Sequence, residues 1–205
     1  MVFHLLHKFI VIFSLILIGG CQSTKQIIES KSHSTKNNIF VEINQENKIE
    51  PGFTMLNINL SFKTPEGRET ANLSKSDYSV VLNIDGQSVI WPLQGIASNE
   101  TNSGTENGKA VKYNLSKNIL LKNGRHKFFV ALPEIDYQKE FDMDLTDPHG
   151  HGQTLNLVPQ YNHKQCKRDV TYLAGIRDFD VYLDEKVIFK KNHIHYQRPG
   201  RHSPC

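Results

Sequence analysis

Apolar and polar residues alternate with a period of two along much of this chain. The clearest run is Leu56, Ile58, Leu60 and Phe62 interleaved with Asn57, Asn59, Ser61 and Lys63. A period of two puts the first set on one face of an extended strand and the second on the other, which predicts a β-strand buried on one side. Shorter stretches repeat the pattern: Ile39 to Ile43, Val80 to Ile84, Val111 to Leu115, Phe141 to Leu145 and Phe179 to Leu183. No long stretch between residues 39 and 189 carries a helical period.

Turn residues fall between these segments: Pro51-Gly52, Thr64 to Gly67, Asp85-Gly86, Asn123-Gly124, Pro148 to Gly152 and Asp184-Glu185. Asp85-Gly86 predicts a two-residue type I′ turn. It sets the register, with Leu82 opposite Val89 and Val80 opposite Trp91, all four on one face. Trp91, the only Trp, is therefore expected in the core. Further hairpins are expected around Asn123-Gly124, across Pro148 to Gly152, and at Asp184-Glu185. Short alternating strands joined by such turns indicate an all-β protein, an antiparallel β-sandwich of roughly eight to ten strands over residues 39–189. The stretch Gln94 to Lys109 is almost wholly Asn, Ser, Thr, Gly and Glu, and reads as a long polar loop and a candidate contact.

Before the first strand, Gln22 to Asn38 is rich in Ser, Lys, Thr, Asn and Gln. That composition predicts a flexible linker over residues 21–38, because a short helix around Ile27 to Ser30 would have no evident partner. Earlier still, Phe9 to Ile18 is apolar except for Ser14. About ten residues are too few to span a hydrocarbon core as a helix, which takes roughly 20. The run fits the apolar part of a secretory signal over residues 1–20. It ends in Leu15-Ile-Leu-Ile-Gly-Gly-Cys21, which closely resembles the lipobox of bacterial lipoproteins. The resemblance implies cleavage before Cys21 and lipidation of that residue. Several acyl chains anchor stably, at about 0.8 kcal/mol per buried CH2. Gln22 stands where an Asp would retain such lipoproteins at the inner membrane, so the resemblance implies an outer-membrane location in the cell envelope.

Charge narrows the reading. Against 24 Lys and Arg stand 21 Asp and Glu, for a net charge of +3, which gives no reason to expect nucleic acid as a partner. Of three cysteines, Cys166 and Cys205 remain if Cys21 carries lipid, and outside the cytoplasm two thiols tend to pair. Closing that loop would contribute about 4 kcal/mol on a chain-entropy account. Residues 190–205 form a basic tail with Lys190, Lys191, Arg198 and Arg201 and no acids, a composition that is usually solvated.

The run from Leu121 through Gly124 and His126 to Val130, together with Ile84-Asp85-Gly86, resembles PEGA-type modules, small extracytoplasmic β-sandwich units of bacterial surface proteins. The polar loop is inserted between the two matching segments. That family implies a β-sandwich and fixes no catalytic residue.

Candidate chemistry is sparse. His149 and His151, and again His193 and His195, are His-x-His pairs. On a strand this spacing puts both rings on one face, and imidazole is the commonest metal ligand; surface histidines are the plainer explanation. Asp142, Asp144 and Asp147 begin like a calcium loop, but Thr146 and Asp147 replace the third ligand and the Gly, and Gln153 replaces the closing Glu. Alternating acids on the wet face of a strand explain that run better. Neither Gly-x-Ser-x-Gly nor His-Glu-x-x-His occurs. The sequence thus leads to the expectation of a non-enzymatic, lipid-anchored envelope protein without a cofactor. It would be held to the membrane through Cys21 and would meet an envelope protein or a glycan. A periplasmic metal-binding protein using the His-x-His pairs is the alternative.

Overall fold

Leu56, Ile58, Leu60 and Phe62 are each exposed by 2% or less. They line the inner face of β2 (Phe53–Pro65), the strand from which the alternation was read. In the computed structural model, the residues described are 23–43, 49–65, 78–98, 110–147, 150–162, 172 and 175–189. The other strands are β1 (Phe40–Ile43), β3 (Tyr78–Ile84), β4 (Gln87–Leu93), β5 (Gly95–Ser98), β6 (Ala110–Lys122), β7 (Gly124–Leu132), β8 (Tyr137–Leu145), β9 (Gln153–Tyr161), β10 (Ile176–Leu183) and β11 (Lys186–Phe189). They form two sheets. The larger has the order β1-β6-β2-β9-β10-β11, with β5 also beside β6; the smaller is β4-β3-β7-β8. A single core cluster fills the space between them, including Phe62, Trp91, Ile119, Phe128, Phe141 and Val181. This is the expected all-β sandwich. It is mostly antiparallel, but β2 and β9 run parallel, from Leu56↔Gln153 to Leu60↔Leu157.

The Asp85-Gly86 hairpin has the expected register, with Val80 opposite Trp91 and Leu82 opposite Val89. Both turn residues have positive φ, +50° and +100°, as a type I′ turn requires. Asp184 and Glu185, at +46° and +70°, likewise turn β10 into β11. Two expected hairpins are not hairpins. Around Asn123-Gly124, β6 and β7 belong to different sheets, and so do β8 and β9 on either side of Pro148 to Gly152. The chain crosses the sandwich at both places. Asn123 makes its crossing by donating its N–H to the Gly52 carbonyl at 2.8 Å and accepting the Thr54 hydroxyl on its side-chain oxygen. The partner of β7 is instead β8, reached through a 3-10 turn at Pro133–Ile135 and a left-handed Asp136.

The linker expectation fails over Thr24–Ser32, which forms a helix, α1. Ser23 and Gln26 cap it reciprocally: the Gln26 N–H meets the Ser23 hydroxyl, and the Ser23 N–H meets the Gln26 side-chain oxygen. Ile28, 5% exposed, packs with Val81, Phe129 and Ala131. Those three stand on the outer face of the smaller sheet, so the helix covers that face over β3 and β7, while the outward residues Glu140, Asp142 and Asp144 of β8 stay exposed. After the helix, Thr35 and Lys36 donate their N–H groups to the Gly86 carbonyl, and Gln87 bonds Ile39 and Phe40. Residues 23–43 are thus stapled along the β3–β4 hairpin.

Candidate functional site

The outer face of the larger sheet carries the polar half of each alternation. β2 presents Asn57, Asn59 and Ser61; β6 presents Asn114, Ser116 and Asn118; β9 presents Asn156. The register aligns them in rows, with Asn59 opposite Ser116 on one side and Asn156 on the other. Tyr182 on β10 stands opposite Asn156 and continues the row. The amides bond across strands: Asn57 Nδ2 donates to Asn118 Oδ1 at 2.6 Å and Asn59 Nδ2 to Asn156 Oδ1 at 3.4 Å, while the Ser61 hydroxyl donates to Asn114 Oδ1 at 2.9 Å. A carboxamide offers two N–H donors and two acceptor lone pairs. One cross-strand bond therefore leaves each with capacity facing outward.

Asn59, Ser61, Asn114, Ser116, Asn156 and Tyr182 line an open groove of about 820 Å³ whose only charged lining residue is Glu185. Val158, 41% exposed, adds an apolar patch beside Tyr182. The volume lies within the range of small-ligand sites, roughly 300–1,000 Å³. The groove can offer a ligand hydrogen bonds of both senses and a small apolar surface.

A cluster of charged side chains adjoins the groove at Asp180, which stands opposite Val158. Lys139 Nζ lies 3.1 Å from Asp178 Oδ1 and 3.5 Å from the centroid of the Phe189 ring. Gln160 donates to Asp180 at 2.9 Å. Beside them the Tyr137 hydroxyl is pushed far above the ordinary phenol range, first by burial and then by the charges of Asp178 and Asp180. The lysine's cation is matched by a carboxylate and an aromatic face, the pattern of a structural ion pair. His126 is a brace: Nδ1 lies 2.7 Å from Asp85 Oδ2 and Nε2 lies 2.8 Å from the Lys122 carbonyl. With both ring nitrogens engaged, it joins the β3–β4 turn to the end of β6.

Of the residues singled out in the sequence, Cys21, Cys166, Cys205, His149, His193 and His195 lie outside the described residues. His151 is described and sits in a tight turn. Its N–H donates to Asp147 Oδ1 at 3.1 Å, and that of Gly152 donates to Asp147 Oδ2 at 2.6 Å. Asp147 is thus a turn-former here. Asp142 and Asp144 are exposed on β8, and Asp142 pairs with Arg125 at 2.8 Å, as alternating acids on a wet face should. Among the described residues, no three His, Cys, Asp or Glu side chains are grouped to hold a metal, and no helix is long and apolar enough to cross a membrane. Of the polar loop, Gly95–Ser98 is strand β5, paired with the start of β6; residues 99–109 lie outside the described residues.

The groove was missed because Asn57, Asn59 and Ser61 were read only as the polar side of one strand, and Ser116, Asn118 and Asn156 fell outside the alternating runs. The signal was their type. Asn is depleted in strands, and five of them stand at outward positions on three adjoining strands, where Lys, Thr or Glu would solvate the face as well.

The chain matches no protein-family model, no curated protein and no solved structure at a significant level.

Proposed function

We propose that this chain is a bacterial envelope lipoprotein, anchored through lipid on Cys21 at the outer membrane, whose sandwich is a non-catalytic binding module of PEGA-like type. The observation that carries the binding part is the uncharged groove on the outer face of the larger sheet. It presents amides and hydroxyls in register and no grouped acid, base and nucleophile. The anchoring part rests on the stretch Leu15 to Cys21.

The docked helix fits this reading. Its cap, Ser23, comes two residues after Cys21, so a lipid there would sit close to the sandwich instead of at the end of a long tether. Cys166 and Cys205 would pair in that compartment.

The test is the intact mass of the protein extracted by detergent from its own cell membranes. A mass equal to Cys21 through Cys205 plus acyl groups supports the reading. An unmodified full-length mass overturns the anchor and removes the basis for the disulfide.

A further inference from the structure

We infer that the groove across β6, β2, β9 and β10 binds a neutral glycan, an inference that rests on the sandwich being a binding module. The row Ser116, Asn59, Asn156 and Tyr182 crosses four strands in register. At about 4.8 Å between strands it is roughly 14 Å long, room for a short oligosaccharide. Val187, 53% exposed, lies opposite Tyr182 on β11 and extends the row by one strand, while Val158, two residues beyond Asn156 on β9, adds an exposed apolar side chain at the groove.

The two halves of the groove match the two surfaces of a sugar. A pyranose presents hydroxyls around its edge, each both donor and acceptor, and C–H groups on its faces. Carboxamides and serine hydroxyls also serve in both senses, so they can meet hydroxyls in either orientation. Tyr182, Val158 and Val187 offer a surface for a C–H face. Neutral amides are also cheaper to strip of water than charged groups, which suits a ligand that brings no charge to compensate.

The same residues argue against other partners. A nucleic acid or an acidic polysaccharide calls for Lys or Arg, and neither lines the groove. Cores of protein interfaces favour aromatics, Met and Arg and are poor in Ser, whereas here one aromatic faces a field of Asn and Ser. Where a sequence sets aside local preference, as these strand asparagines do, a functional site is the expected reason.

The experiment is affinity electrophoresis of the full-length, membrane-extracted protein in gels containing dextran, laminarin, hydroxyethylcellulose or soluble chitin oligosaccharides, with heparin as the charged control. At least one neutral glycan should retard the protein and heparin should not. Asn156→Ala and Tyr182→Ala should each weaken that retardation tenfold or more without moving the melting temperature by more than a few degrees. Arg125→Ala, on the other sheet, should change nothing. Retardation by no neutral glycan, by heparin alone, or undiminished in both groove variants overturns the inference. A photo-cross-linking residue placed at Ser116 in cells separates the two levels of the argument. A protein adduct overturns the glycan and leaves the binding module standing; neither adduct nor glycan binding overturns both.

Discussion

The side-chain amide of Asn83 donates to the backbone carbonyl of Lys31 at 2.8 Å, tying the last turn of α1 to the end of β3. Helix ends leave carbonyls without internal partners, and this bond satisfies one of them from across the chain. The Asn83 side-chain oxygen meanwhile accepts the Gly86 N–H at 2.9 Å, so one residue joins helix and hairpin turn. Asn83→Ala should therefore cost about 1–3 kcal/mol. Ile28→Ala, which removes the buried side chain of the helix, should cost about 2–4 kcal/mol. In both variants amide exchange should quicken in residues 24–36 while the β2–β6 ladder keeps its protection, because the helix can open without the core. Unchanged exchange over residues 24–36 would show that the helix does not depend on this contact.

Gly86 has two reasons to be glycine. Its φ is +100°, and a Cβ there would come within 2.6 Å of Thr35 Oγ1. Gly86→Ala should lower stability by about 1–2 kcal/mol through backbone strain alone. Adding Thr35→Gly should relieve only the steric part. Denaturant midpoints of the two single variants and the double variant give that split. An additive result would mean the Thr35 contact has no share.

What was legible in the sequence was whatever one strand and its neighbour decide together. Asp85-Gly86 fixed its own hairpin, and with it the place of Trp91. Asn123-Gly124 has an equally good local signal, yet no hairpin forms, because Phe128, Val130 and Leu132 pair with β8 in the other sheet. Sheet membership is a long-range choice that turn chemistry does not see. The docked helix was more readable than it was taken to be. Val80-Val81-Leu82 and Phe128 through Leu132 are continuous apolar runs, the mark of strands covered on both faces. Something had to cover the outer face, and Ile27-Ile28 behind a Ser-x-x-Gln cap was the available segment. The groove was half legible. Alternation placed Asn57, Asn59 and Ser61 on one face of their strand, but the assembly of the surface depends on the β6-β2-β9-β10 order, which alternation cannot supply.

Lys139 and Asp178 make a buried pair, with side chains 14% and 6% exposed. Removing one member should hurt more than removing both, because the survivor is left charged and dry. Lys139→Met is expected to cost about 3–5 kcal/mol. The double variant Lys139→Met, Asp178→Leu should be distinctly less costly than the sum of the single changes. Four denaturation curves complete the cycle. A double variant as destabilised as the sum would mean that the pair is not coupled.

Glu140 gives the pH dependence. Its carboxylate lies 3.0 Å from Lys127 Nζ and 3.6 Å from Lys31 Nζ. Its pKa is held below the ordinary 4.5, first by the hydrogen bond from Lys127, with burial opposing and the charge of Lys31 adding to the lowering. A carboxyl with a depressed folded-state pKa takes up its proton in the unfolded chain first. Stability from this group is therefore complete above pH 4.5 and is lost as pH falls through the folded-state value. The group is 41% exposed, so screening keeps the effect small, a few tenths to about 1 kcal/mol. Glu140→Gln should accordingly be less stable than the unsubstituted protein at pH 6, the gap should shrink as pH falls below 4.5, and 1 M salt should narrow it at pH 6. Because one of the two lysines belongs to α1, acidification should also quicken amide exchange in residues 24–32 in the unsubstituted protein, relative to Glu140→Gln. A stability gap that does not shrink as pH falls below 4.5 would assign the loss to packing of the side chain and remove the electrostatic account.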